Sequence, residues 1–345
     1  MESCMMFGQE HDCSTATVNK MLNRKNIWMI FIVATAVVIS SYLIYLNIEK
    51  QRVLEELKDL APIVFSAGFY NGDYGTFKYY PSSGKIEKIS DLQLHSLSYS
   101  EDRSKIIGIV FGEIVDGIVE INLSDNSVKQ IISIEDINKQ LEKIGVRPKE
   151  RYRHLDDVLT FPKYYKDGYV FIFKENVYFL QDKQGDFSIT QINNTYTINA
   201  YFIDKEDRLY LKKENGDIVL DENAKEESHI LLHTEEDLYI DEGSSLFDMS
   251  NNKKEILYYD LGNVNIYNTE FSQNTATIKH FSIYQYILDL RLSENNKYVF
   301  YTLGELYSMN LNEYRYNFYI VDPKRKIRIH LKRFNNGDDF YGFDW

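Results

Sequence analysis

Two regimes of hydrophobic and polar positions divide the chain. From Ile27 to Leu46, IWMIFIVATAVVISSYLIYL runs for 20 residues without a charge, about enough for a helix to cross ~30 Å of hydrocarbon. Beyond residue 61 the apolar residues come instead in short alternating runs separated by polar turns, the signature of strands and hairpins. LDLRLSENNKYVFYT (Leu288 to Thr302) is one such hairpin, and the same form recurs at SLSYSEDRSKIIGIVF from Ser96, FPKYYKDGYVFIF from Phe161, AYFIDKEDRLYL from Ala200 and SLFDMSNNKKEILYYD from Ser245. Each is followed by a second hairpin: GIVEINLSDNSVKQII from Gly117, ENVYFLQDKQGDFSITQI from Glu175, NGDIVLDENAKEESHILL from Asn215, NVNIYNTEFSQNTATIKHF from Asn263, and ELYSMN with NFYIVDPKRKIRIHL in the last copy.

Four antiparallel strands per repeat, at a period of roughly 40–50 residues, predict the blades of a β-propeller. The turns at Asp102, Asp167, Glu206, Asn252 and Asn295 are spaced by 65, 39, 46 and 43 residues. The long first interval is explained by SIEDINKQLEKIG, residues 133–145. Ile134, Ile137, Leu141 and Ile144 share one helical face, Ser133 and Asp136 form a capping box, and Gly145 is the stop. A helix inserted between two blades follows.

The chain ends predict closure. FYGFDW (Phe340 to Trp345) reads as a lone first strand, whereas PIVFSAGF, GTFKYYPSS and GKIEKIS supply three strands lacking a first. Pairing the two sets gives a sixth blade, with about 48 residues per blade across 61–345, and leaves no open sheet edge. KIRIHLK, from Lys326, alternates Ile327, Ile329 and Leu331 with Lys326, Arg328, His330 and Lys332, as befits a charged outermost strand.

Ser100-Glu101-Asp102-Arg103 and Ser293-Glu294-Asn295-Asn296 occupy the turn at which TolB-like, WD-repeat-like propellers carry a Ser-Pro-Asp-Gly-type sequence ahead of an apolar strand. On these turns and the four-strand repeat, 61–345 resembles the six-bladed TolB-like β-propellers. The resemblance implies a rigid ring that binds proteins or small ligands at its faces and central channel, and it implies no particular reaction.

The expected organisation is an all-β six-bladed propeller ectodomain with one inserted helix, preceded by a single transmembrane helix. In residue numbers it is a cytoplasmic tail 1–26, a signal anchor 27–46, a helical stalk 47–60 and the propeller 61–345, with the inserted helix at 133–145 and the closing strand at 340–345. Lys20, Arg24 and Lys25 precede the span, while Lys50, Arg52 and Lys58 follow it among acidic residues. We place the N-terminus inside because an early span followed by nearly 300 residues acts as an export signal. A cleaved signal peptide has an apolar region of only ~7–15 residues. Both cysteines, Cys4 and Cys13, lie in the tail, so the outer part relies on no disulfide. This points to a bacterial cell envelope protein.

Composition narrows the ligand classes. The 28 Tyr and 20 Phe suit strands. The net charge of −13 belongs wholly to the part beyond Leu46 and argues against nucleic acid. Acidic clusters at Glu235, Glu236, Asp237, Asp241, Glu242 and at Asp338, Asp339 read as solvated loops. Cys4, His11 and Cys13 lack zinc-site spacing, and neither a metal nor a cofactor is expected. No H-E-x-x-H, G-x-S-x-G, Walker A or calcium-loop pattern occurs.

First strands of blades face the channel, so their polar residues are the candidate site. Asp289 and Arg291 project to one side of ILDLRL, Asp248 and Asp344 hold corresponding positions, and His95, Arg153 and His154 precede or begin other first strands. The basic link RPKERYRH, with Arg147, Lys149, Arg151 and Arg153, is the candidate partner or anion surface. The expected role is a protein-binding or scaffolding module with a membrane-proximal envelope partner, and wall polymer or glycan is a second ligand class. The alternatives are a carbohydrate-active hydrolase or lyase using channel carboxylates, or an envelope sensor. MLNRKNIWMIF, from Met21, has the basic segment and apolar core of an export signal on its own. If translation begins there, N-terminal sequencing of the native protein yields no peptide from before Met21; recovery of such peptides overturns that start.

Overall fold

The computed structural model describes residues 13–112, 114–146, 160–174, 176–183, 185–192, 198–203, 207–213, 217–221, 230–233, 247–250, 254–260, 263–279, 285–308, 313–335 and 338–345. The chain divides into two compact units, Met1–Val53 and Leu54–Trp345. The described part of the first unit lies in one helix, α1 (Cys13–Glu56), which extends well beyond the apolar run on both sides. The helix is long and apolar enough to cross a membrane. Ile27, Phe31, Ile39 and Leu43 on it are exposed.

In the second unit the described strands form six four-stranded antiparallel sheets. The chain first makes β1 (Ile63–Gly68), β2 (Tyr74–Tyr80) and β3 (Lys85–Ser90), then a sheet of β4 (His95–Tyr99), β5 (Lys105–Phe111), β6 (Asp116–Asn122) and β7 (Val128–Ile132). Helix α2 (Ile134–Lys143) follows, and then the sheet β8 (Thr160–Tyr165), β9 (Gly168–Phe173), β10 (Asn176–Lys183) and β11 (Asp186–Gln191). The next sheets are β12 (Ile198–Ile203), β13 (Leu209–Lys213), β14 (Asp217–Asp221), β15 (Ile230–His233), and β16 (Phe247–Met249), β17 (Glu255–Asp260), β18 (Asn263–Asn268), β19 (Gln273–Lys279). The last are β20 (Gln285–Leu292), β21 (Val299–Ser308), β22 (Glu313–Asp322), β23 (Ile327–Arg333) and the C-terminal strand β24 (Asp339–Asp344). Five sheets are continuous in sequence. The remaining one is composite, in the order β24-β1-β2-β3, with Phe343 opposite Phe65 and Asp344 opposite Val64.

This is a β-propeller, and apolar layers between successive sheets hold it together. Val64 and Ile89 pack with Leu97, Ile106 and Val119 at one seam. Val170 and Val177 meet Tyr201 and Leu211 at another, and Leu257 and Val264 meet Leu290 and Tyr301 at a third. The seam beside the composite sheet is aromatic. Phe318 on β22 lies 5.4 Å from Phe65, 5.2 Å from Phe300, 4.7 Å from Phe334 and 5.7 Å from Phe340, mostly edge to face. Among its neighbours, Tyr79 donates its hydroxyl to the Leu331 carbonyl at 3.1 Å.

The inserted helix is present as α2, with Ile134, Ile137 and Leu141 on its buried face, but Ile144, expected on that face, lies past the last turn as the C-cap and is exposed. Ser133 caps it by accepting the Asp136 N–H at 3.1 Å, and Gly145 follows with φ +83°. Ile137 and Leu141 are wholly buried in the layer between the β4–β7 and β8–β11 sheets, alongside Ile118 and Phe171. Only the polar face, with Glu135, Asp136 and Lys139 paired among themselves, meets solvent. On β23, Ile327 and Ile329 are buried while His330 and Arg333 are exposed, and Arg328 lies 4.1 Å over the Tyr319 ring.

The repeat has a defined turn chemistry. Ser100 and Ser293 each donate their N–H across the turn, to Lys105 O and Tyr298 O, and each hydroxyl accepts the N–H coming back, from Lys105 and Tyr298. Ser250 makes the same two bonds with Glu255. The Ser100 and Ser293 hydroxyls also donate to Asp102 and Asn295, both at 2.7 Å. The position that carries Gly in the TolB-like turn is Arg103 at φ +56° and Asn296 at φ +55°, so the left-handed conformation is kept without glycine.

Where α1 ends, Glu56, part of the second unit, accepts from Lys297 Nζ, Tyr298 OH and, at 2.8 Å, Arg325 Nη2. The following turn, Leu57–Asp59, buries Leu57. Because Phe318 touches three strands of the composite sheet's seam and is wholly buried, Phe318→Ala is expected to lower stability by about 3–5 kcal/mol. Lys139→Ala, on the exposed face of α2, is expected to stay within about 0.5 kcal/mol. Chemical denaturation of both variants checks the contrast.

Candidate functional site: the axial cavity

The six first strands line a cavity of about 350 Å³, to which they bring among others Asp344, Ser98, Lys163, Phe202, Asp248 and Arg291. Ser98, Asp248 and Arg291 each stand two residues before the serine of their turn. Strand alternation therefore aims them the same way. Glu101, Arg103, Lys166, Asp207 and Glu294 line it further out, with Arg103 bridged to Glu294 at 3.6 Å.

Backbone geometry explains the carboxylates. A first strand has a partner on one side only, so its other N–H groups need acceptors that the sheet does not supply. Asp344 Oδ2 accepts the Tyr99 N–H at 2.8 Å, from β24 to β4. Asp248 Oδ2 accepts the Leu292 N–H at 2.7 Å, from β16 to β20. Tyr99 and Leu292 are equivalent positions, each directly before its turn serine, so the same bond joins two different pairs of sheets. The second oxygen of Asp248 accepts the Met249 N–H at 2.9 Å.

Arg291 completes the arrangement. Its Nε donates to Asp344 Oδ1 at 3.0 Å, its Nη1 donates to Asp289 Oδ1 and to the Leu290 carbonyl at 2.8 Å, and its guanidinium lies 5.8 Å from the centre of the Phe343 ring. Asp289, Arg291, Leu290 and Phe343 are buried, and Asp344 is partly exposed. Burial pushes the Asp289 carboxyl up to about 7, against the opposing pull of Arg291, and pushes Asp248 up as well.

The structure thus brings Asp248, Arg291 and Asp344 together in the cavity wall, with Asp289 bonded to Arg291 and outside the lining. His95 does not line this cavity. It begins β4, four residues before Tyr99, with its ring 4.9 Å from Phe111 and 4.8 Å from Tyr341. Burial lowers its pKa to about 4, which leaves it neutral at physiological pH. Arg147, Lys149, Arg151, Arg153 and His154 lie outside the described residues, as do the Cys4 and His11 pair and the acidic residues 235–242. Among the described residues no group of His, Cys, Asp and Glu has the arrangement of a metal site.

Sequence reasoning did not identify Lys163, Ser98 and Phe202 as lining residues. The signal for Lys163 was obscured because its turn contains no serine from which to count. Lys163 has no hydrogen bond or ion pair among the described residues. Its ammonium lies 5.6 Å from the Tyr201 ring and 5.8 Å from the Phe202 ring. Burial, reinforced by the Arg291 charge, lowers its pKa.

No family model matches the sequence, and no curated protein does. Among solved structures the chain is similar to TolB from Acinetobacter baumannii, with a TM-score of 0.51 and 12% identity over 82% of this chain and 67% of that one. It is also similar to a chain of a nidogen/laminin complex, with a TM-score of 0.52 and 10% identity over 82% of this chain and 97% of that one. At these identities the likeness shows the propeller fold alone.

Two outcomes follow from the buried charges. Arg291→Met leaves Asp289 and Asp344 without their shared cation and is expected to cost about 3–5 kcal/mol in denaturant unfolding. Asp289, with a folded-state pKa of about 7 against its ordinary 3.8, holds more protons folded than unfolded between those values. The stability it contributes is present at low pH and is lost as pH rises through 7. Melting temperatures measured from pH 5 to 8 should therefore fall for the wild type relative to Asp289→Asn; parallel curves would show that Asp289 does not titrate in this range.

Proposed function

We propose that this protein is a membrane-anchored, extracytoplasmic six-bladed propeller of TolB-like type that acts as a protein-binding or scaffolding module at the bacterial cell envelope. The reading rests foremost on how the axial carboxylates are used. Asp248 and Asp344 each accept the backbone N–H of a neighbouring sheet, and Asp289 and Asp344 share Arg291. These groups hold strands in place, which favours a rigid binding ring over a hydrolase or lyase that needs carboxylates free to exchange protons with substrate.

Further support comes from the exposed apolar helix, read as a single-pass anchor with the N-terminus in the cytoplasm and the sheets outside. The propeller chain of the nidogen/laminin structure belongs to a complex between proteins, which agrees with a protein partner here. The stalk is short: Ile63 of β1 follows Leu46 by 17 residues, so a membrane-proximal partner is favoured over distant polymer.

The candidate surfaces are the polar face of α2 and the basic link at Arg147, Lys149, Arg151 and Arg153. Deleting 133–154 would remove the buried Ile137 and Leu141 and damage the core. The test is therefore crosslinking in intact cells, followed by mass spectrometry, of the full-length protein and of a variant with those four basic residues changed to Glu. A dominant partner captured by the wild type and lost from the variant is the expected outcome. If a partner is captured equally by both, the basic link is not its surface; if none is captured, the scaffolding reading fails.

A further inference from the structure

We propose that the axial cavity binds a ligand through a single carboxylate group, received by the Lys163 ammonium and the Ser98 hydroxyl. The inference stands independently of which proteins the outer surfaces hold. Four charged side chains reach the cavity from the first strands: Lys163, Asp248, Arg291 and Asp344. Three are committed. Asp248 accepts two backbone N–H groups, Asp344 accepts one together with Arg291, and Arg291 is divided between Asp344, Asp289 and the Leu290 carbonyl.

Lys163 is not committed. Its neighbours are the aromatic faces of Tyr201 and Phe202, which attract a cation but offer its three N–H donors no oxygen along their faces. Ser98, on the adjacent first strand β4, is buried, and its hydroxyl has no hydrogen bond among the described residues. Two unengaged donors on neighbouring strands that line one cavity match the two oxygens of a carboxylate.

The surroundings select the charge of the ligand. Asp248 and Asp344 stand in the same wall, so a doubly charged phosphate or sulfate meets more repulsion than a monoanionic carboxylate does. A cavity of about 350 Å³ is at the small end for ligand pockets, which admits a small organic acid or the carboxylate end of an inserted chain.

The experiment uses the full-length protein in detergent micelles and reads each lysine by mass spectrometry after limited acetylation with acetic anhydride. Burial lowers the pKa of Lys163, which raises the share of its amine open to acetylation relative to an exposed lysine. The probes are butyrate, trialanine with a free C-terminus, and trialanine amide. At a probe concentration about ten times its Kd, acetylation of Lys163 should fall about tenfold while that of Lys105 and Lys139, which do not line the cavity, is unchanged. Protection by butyrate alone assigns a small acid, and protection by trialanine but not its amide assigns a chain end; either supports the proposal. Equal acetylation of Lys163 with and without all three probes overturns it, as does equal protection by the amide. A second measurement uses Trp345, which lines the cavity, in a Trp28→Phe background. Its fluorescence should respond to the protecting probe in that background and lose the response in Lys163→Met and Ser98→Ala; a response that survives both changes also overturns the proposal.

Discussion

The innermost strands of this ring have hydrogen-bonding partners on one side only, and the molecule is organised around that shortage. Tyr99 and Leu292 donate their N–H groups to carboxylates of a neighbouring sheet, Asp344 and Asp248. Each bond joins two sheets that also meet through an apolar layer. Those layers give cohesion without direction, whereas the carboxylate bonds fix how far each first strand advances toward the axis. Arg291 then balances the negative charge gathered there, and the cavity is the space left between the clasped strands. Its size and its polarity both follow from the clasp.

The same economy of devices appears at the turns. Ser100, Ser250 and Ser293 use one side chain to accept the returning N–H of a hairpin, and two of them are buttressed by Asp102 or Asn295. The left-handed residue that follows needs no glycine because Arg103 also gains a ring contact with Tyr99 at 5.2 Å, and Asn tolerates that region well. Local chemistry of this kind is why the hairpins are recognisable although the turns at Ser100 and Ser293 carry neither Pro nor Gly.

Much of the architecture was legible in the sequence for the same reason. Period-two alternation identified the hairpins, and helical spacing with a cap identified α2, because both signals are local. FYGFDW was readable as a strand in search of neighbours, and β24 pairs with β1. Asp248, Arg291 and Asp344 were readable because they interrupt apolar first strands with charge. The position of Lys163 was not, since the turn after β8 has no serine from which to count back. His95 was misplaced for a related reason: lying at the start of a strand does not say which end of that strand approaches the axis. The commitments of the carboxylates to backbone N–H groups were also invisible, as they join residues 44 and 245 positions apart.

The composite sheet bears on the order in which the chain can fold. Strands β1 to β3 are complete long before β24 exists, so one edge of β1 stays unpaired until nearly the whole chain has been made. Joining Val64 to Asp344 closes a loop of almost the entire propeller, a contact of very high sequence separation and therefore slow to form. Until then the aromatic seam around Phe65 and Phe318 has nothing to seal it, and an early-made strand edge is open to wrong partners. A chaperone that shields nascent β-edges would find its moment here, in the interval between the first sheet and the last strand.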